Sequence, residues 1–228
     1  MAVRIPGFGA IEEMLDSGLD RALAVQRSAV TAYVDRVRRN NPAASPDEVI
    51  RMLERRYLSA TASVGAAAGG AAALPGVGTA ATLAASGAEI VAFIEATALF
   101  TLAVAEVHGV YVSDPEGRRA LVIAVLLGES GAAVLESEAG RSGHWQEVLT
   151  RRGSREGISG IKRRLARHLV TRFGSRQGAL LVGRALPLGI GAGIGAAGNA
   201  ALAKASIRAS RRIFGPPPAQ FGPRVIDV

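Results

Sequence analysis

"LPGVGTAATLAASG", Leu74 to Gly87, decides the fold. It sits inside a stretch from Ser59 to Ala88 that carries no charged side chain. A membrane span, a phosphate-binding loop and a sharp corner between packed helices are three structures that suit such a stretch. Pro75 disfavours helical geometry at Leu74. A helix arriving from the N-terminal side should therefore stop near Ala73, and a second should start after Gly76 and run to about Val107. The spacing predicts a corner at Pro75, Gly76 and Gly78 between two long Ala/Gly-rich helices.

The other two structures fit less well. A spanning helix needs about 20 predominantly apolar residues, but Pro75-Gly76 divides the uncharged stretch, and Ala, Gly, Ser and Thr contribute little to insertion. The stronger apolar run that follows carries Glu95 in its middle and Glu106 at its end. A carboxylate at mid-bilayer costs about 2.5–3.5 kcal/mol, so the run comes out close to neutral. Gly193 to Gly198 matches the spacing G-x-G-x-x-G. A dinucleotide site needs a strand before it and an acid about 20 residues after it, and "GRALPLGIGA" is no strand. Glycine inside a helix costs about 1 kcal/mol against alanine. Helices that keep Gly65, Gly69, Gly191 and Gly195 at small-xxx-small spacing, with Asn199 a turn further on, should gain that back by close approach to a neighbour.

Outward from this hairpin the chain reads as all-α. Residues 8–39 form an amphipathic helix, with Leu15, Leu19, Val30 and Val37 on one face. Ser45, Pro46 and Glu48 restart the chain as N-cap, first helical position and capping-box partner. Asp114 or Ser113 with Pro115 starts another helix, ending before Gly128, and the following "ESGAAVLESEAGRSGHW" reads as less regular. Residues 154–173 form a basic amphipathic helix, and a last helix follows Pro187 to Phe214. The organisation is an N-terminal helix and linker over 1–44, a helical domain over 45–214 and a flexible Pro-rich tail over 215–228. "AAALPGVGTAATLAA" is echoed by "RALPLGIGAGIGAAGNAALA", which suggests two similar hairpins packed together.

Charge is divided along the chain. Residues 1–138 carry 11 basic and 16 acidic side chains, whereas residues 139–228 carry 16 and 3. The basic part suits an anionic membrane surface or an acidic protein, and Lys162, Arg163, Arg164, Arg167 and Arg172 are its sharpest cluster. A solvated face fits the same pattern. Aromatics make up only 4% of the chain, which leaves little for stacking on bases and argues against nucleic acid. There is no cysteine, so thiolate nucleophiles and Cys-ligated metals are excluded. The three histidines are scattered, and neither G-x-S-x-G nor H-E-x-x-H occurs. No catalytic, cofactor or metal site is expected. Glu95 and Glu106 lie three helical turns apart on one face, with Glu89 on another. All three are expected to be buried, and Glu95 and Glu106 to pair with arginines such as Arg118, Arg119 or Arg184.

The stretches "GAAAGGAAALPGVGTAATLAASGAEIVAFIEATALF", "AEVHGVYVSDPEGRRALVIAVLLG" and "LPLGIGAGIGAAGNAALAKASIRASRRIFGPPP", in that order, resemble the EcsC family of bacterial proteins encoded beside ABC-transporter genes. The resemblance rests on Leu74-Pro75-Gly76, Glu89, Gly109, Asp114-Pro115-Glu116 with Arg118, and the glycine-rich helix with Asn199. It implies an all-helical protein linked by gene context to a transporter or to protein secretion, without an established catalytic activity. Taken with the basic C-terminal part, the expectation is a non-enzymatic accessory protein at the cytoplasmic face of the membrane, peripheral and not integral. A more distant likeness to the helical domain of some bacterial GTPases implies a cytoplasmic scaffold for a partner protein as the alternative. Relatives carry Tyr-Gly where this chain has His108-Gly109, so His108 is expected to replace a packing residue.

Overall fold

The computed structural model describes residues 17–24, 27–72, 79–112, 114–139 and 190–222. Within them the protein is all-helical: seven helices and no strand. In chain order these are α1 (17–23), α2 (Arg27–Arg39), α3 (Pro46–Ala72), α4 (Thr79–Val107), α5 (Pro115–Leu126), α6 (Glu129–Ala139) and α7 (Ile190–Phe214).

The helix starts follow local chemistry. The Ser45 backbone N–H and hydroxyl donate to Glu48 Oε2 at 2.7 and 3.0 Å, and the Glu48 N–H donates to Ser45 Oγ at 3.3 Å. These bonds, with Arg51 nearby, hold the Glu48 carboxyl below the usual carboxylate range. Asp114 caps α5 by accepting from the Gly117 N–H at 2.7 Å, with Pro115 in the first turn. That cap explains why the apolar run "ALVIAVL" is helix and not strand.

α3 and α4 form the expected hairpin. Tyr57 of α3 stacks on Phe100 of α4 at 4.6 Å and bonds Thr97 through its hydroxyl at 2.7 Å. α3 ends at Ala72 and α4 begins at Thr79, so the chain reverses between them. Pro75, Gly76 and Gly78 themselves lie outside the described residues, as does Pro187 before α7. α7 then lies antiparallel along α3, the most extensive helix contact among the described residues. The pairing runs Glu54 with Arg211, Thr61 with Asn199, and Gly65 with Gly195.

The core is one continuous cluster. Phe93, Ile94, Leu53, Leu121, Ile123 and Leu127 are almost wholly sequestered, and Leu19, Val30 and Val37 from the helices before Pro46 join them. α5 is the central plug, buried at every position from Ala120 to Leu126. Gly87–Val107 of α4 is long and apolar enough to cross a membrane, yet 61% of its best window is buried against other helices. Its apolarity is used by the protein core.

Three expectations need correction. The first helix is not continuous: α1 ends at residue 23, Ala24 is a turn, and α2 begins at Arg27. "ESGAAVLESEA" is a regular helix, α6. Gly128, with φ of 67°, supplies the left-handed turn between α5 and α6. Gly131 then lets α6 lie on α5, because a β-carbon there would overlap the Ala124 carbonyl. The Pro-rich tail is anchored over its first part: Phe221 packs against the core, and the Arg38 guanidinium lies 3.8 Å above its ring.

Candidate functional site

The α3–α7 seam has two unlike ends. At one, the helices touch backbone to backbone. A β-carbon on Gly65 would overlap the Gly195 carbonyl oxygen and lie 2.8 Å from Asn199 Nδ2. One on Gly195 would overlap the Gly65 carbonyl oxygen and sit 3.6 Å from the Gly69 α-carbon. Asn199, itself buried, donates from Nδ2 to the Thr61 carbonyl at 3.1 Å. The small-xxx-small spacing therefore marks a contact that only glycine permits. Gly191 lies in the first turn of α7.

At the other end the seam is charged. Glu54 is buried, and both of its oxygens accept from Arg211: Oε1 from Nε at 2.7 Å and Oε2 from Nη2 at 2.6 Å. The pair keeps Arg211 more firmly protonated than a free guanidinium, first through these bonds and then through the Glu54 charge. Arg212 bonds Glu136 through Nε and Nη2, both at 2.6 Å, and Glu129 through Nη1 at 3.1 Å. Arg208 also approaches Glu129, at 3.7 Å. Three basic side chains of α7 are thus matched by acids of α3 and α6. Part of the charge division along the sequence is complementarity within the fold.

Between the first turns of α3, the end of α4 and the end of α7 opens a cleft of about 440 Å³. Asp47, Arg51, Glu54, His108 and Arg211 bring charge or titratable groups to it, and Ile50, Val104 and Phe214 give it apolar walls. Arg51 meets Asp47 at 2.6 Å one turn along α3. Gly215, with φ of 73°, ends α7 and turns the chain so that Pro216 and Pro217 close one side. The His108 ring stacks on Phe214 at 5.3 Å. Burial lowers its pKa below the ordinary imidazole value, which favours the neutral ring.

Of the three glutamates expected to be buried, only Glu89 is. Glu95 and Glu106 are half-exposed and meet polar side chains of α1 and α2. Glu95 faces Arg21 at 3.8 Å, and Glu106 accepts from the Thr31 hydroxyl at 3.1 Å. Neither pairs with Arg118 or Arg119. Arg119 pairs with Asp20, while Arg118 and Glu106 line a small cavity of about 30 Å³ without meeting. Arg184 lies outside the described residues, as do Lys162, Arg163, Arg164, Arg167 and Arg172. Among the described residues no three His, Asp or Glu side chains gather as metal ligands.

Glu54 and the cleft were not anticipated, whereas Tyr57 was expected on this helix with Ile50 and Leu53. Glu54 had one sequence signal: it falls on the same helical face as Ile50, Leu53 and Tyr57, where a carboxylate must find a partner. No family model, curated protein or solved structure matches the chain.

Proposed function

We propose that the protein is a non-enzymatic, EcsC-like accessory protein that attaches peripherally to the cytoplasmic face of a membrane, beside a transporter or secretion system. The observation that carries the reading is the uneven distribution of positive charge along the sequence. Arg208, Arg211 and Arg212 of α7 are taken up by Glu129, Glu54 and Glu136. Residues 140–189 hold eleven basic and two acidic side chains, far more than their own acids can offset. A lysine or arginine near an anionic leaflet contributes about 1 kcal/mol, and several together suffice for reversible attachment. Amphipathic spacing over 154–173, with Ile158, Ile161, Leu165 and Leu169 opposite Arg163, Arg164 and Arg167, suits a segment lying in the headgroup plane. Burial of α4 favours peripheral over integral attachment, since withdrawing that helix would dismantle the core.

Co-sedimentation with vesicles tests the reading. The protein should pellet with vesicles rich in anionic lipid at low salt, stay in the supernatant with neutral vesicles, and be released by high salt without detergent. Replacing Arg163, Arg164 and Arg167 by glutamine together should abolish pelleting. Failure to bind anionic vesicles at low salt, or release by detergent alone, overturns the reading.

A further inference from the structure

We propose that the cleft between α3, α4 and α7 is a binding site for a small organic carboxylate with an apolar body. The inference is independent of membrane attachment, which rests on residues 140–189.

The cleft has the size of a small-molecule site, a few hundred Å³ or more with apolar walls and a few converging polar groups. Its hydrogen-bonding capacity is unevenly used. Both oxygens of Glu54 are taken by Arg211, while a guanidinium carries five N–H groups and this pair consumes two. The guanidinium is therefore held in a fixed plane by a buried carboxylate, with its Nη1 edge outside the pair and its side chain 62% exposed. Arg51 stands one turn from Glu54 on α3, 50% exposed, and meets Asp47 through Nη1. A positioned guanidinium recognises a planar anion by parallel N–H bonds, and two guanidiniums line this cleft. Ile50, Val104 and Phe214, with Pro216 and Pro217, give the same cleft apolar surface.

Charge balance limits how much negative charge the ligand can bring. Arg51 and Arg211 are formally matched by Asp47 and Glu54, and burial favours the neutral form of His108. A carboxylate adds one negative charge to this half-enclosed site, whereas a phosphate monoester adds nearly two beside Asp47. The apolar lining adds affinity in proportion to the carbon surface that it covers. The strap that completes the wall is itself fixed, because Phe221 sits beneath Arg38 four residues beyond Pro217.

Octanoate is a suitable probe, with octanol, octyl phosphate and octyltrimethylammonium as comparisons, followed by nuclear magnetic resonance on the full chain. Octanoate should shift the Arg211 Nε–H and His108 ring signals saturably, binding about tenfold tighter than octanol. Arg51→Gln, a surface change that leaves the Glu54–Arg211 pair intact, should weaken octanoate several-fold and leave octanol unchanged; Arg51→Lys should recover part of the loss. Equal binding of octanol and octanoate reduces the site to an apolar crevice and overturns the proposal. So does tighter binding of octyl phosphate or of the cation, an absence of saturation, or indifference to Arg51→Gln.

Discussion

The two ends of the α3–α7 seam solve one problem by opposite means. At Gly65 and Gly195 the helices approach until their backbones touch, and nothing polar is needed except the Asn199 bond to Thr61. Eleven residues earlier on α3, at Glu54, the gap is wide enough for a carboxylate and a guanidinium. The glycine end tolerates no added atom, because its stability lies in many short contacts that one β-carbon would break together. The charged end is tolerant in volume but not in charge, because Glu54 is buried while Arg211 is largely exposed. Geometry is the constraint at one end and electrostatic pairing at the other.

The largest effect should come at the glycine end. Gly195→Ala places a methyl group against the Gly65 carbonyl and must push the helices apart. Overpacking of this kind should cost about 3 kcal/mol, despite the better helix propensity of alanine. Urea unfolding gives the measurement. Gly65→Ala should cost a similar amount, and the double variant clearly less than the sum, since helices separated once need not be separated again. A Gly195→Ala protein as stable as the parent would mean that the helices do not meet there.

The charged end should respond asymmetrically. Arg211→Ala strands a buried carboxylate and should cost about 2 kcal/mol, below the 3–5 kcal/mol of a fully buried pair because Arg211 is mostly solvated. Glu54→Gln strands only a solvated cation and should cost about half as much. Equal losses from the two variants, in the same unfolding measurement, would show that Glu54 reaches water. The comparison with the glycine end would then fail, since both ends would be held by packing alone.

The difference between the ends also explains what the sequence reveals. Glycines four apart in a helix announce a close contact, because nothing else repays their cost, and Gly65 and Gly195 fulfil that expectation. Ser45, Pro46, Asp114 and Pro115 mark helix starts through bonds made within four residues, so they too are legible. Ion pairs are not. Glu54 and Arg211 lie 157 positions apart, and choosing Arg211 over its neighbour Arg212 requires the rotation of α7 about its axis. Glu95 and Glu106 went astray for the same reason: shared placement on a helix face says nothing of which helix covers that face. The cleft is harder still, because three helix ends and a proline strap form it, and no local pattern encodes their meeting.

Between the two ends Tyr57 reports on whether the seam is closed. Its ring is sandwiched near Phe93 and Phe100, its hydroxyl meets Thr97, and Ser206 of α7 faces the same phenol. Burial outweighs those polar neighbours and pushes its pKa up from 10.0 to about 12. The folded state favours the neutral phenol, so this group's stabilising effect is intact below pH 10 and fades as pH climbs from 10 towards 12. Absorbance titration of the folded protein should show one of its three tyrosines ionising well after pH 10, a step absent from Tyr57→Phe. That variant keeps the ring stacking and loses only the Thr97 bond, so it should cost about 1 kcal/mol, the smallest of these effects. Transferring Gly195→Ala into the titration joins the two tests. If the methyl group opens the seam from the glycine end, water should reach the phenol and the late step should move towards pH 10. If that step stays in place while stability falls, the strain is confined to the glycine end and the two halves of the seam act independently.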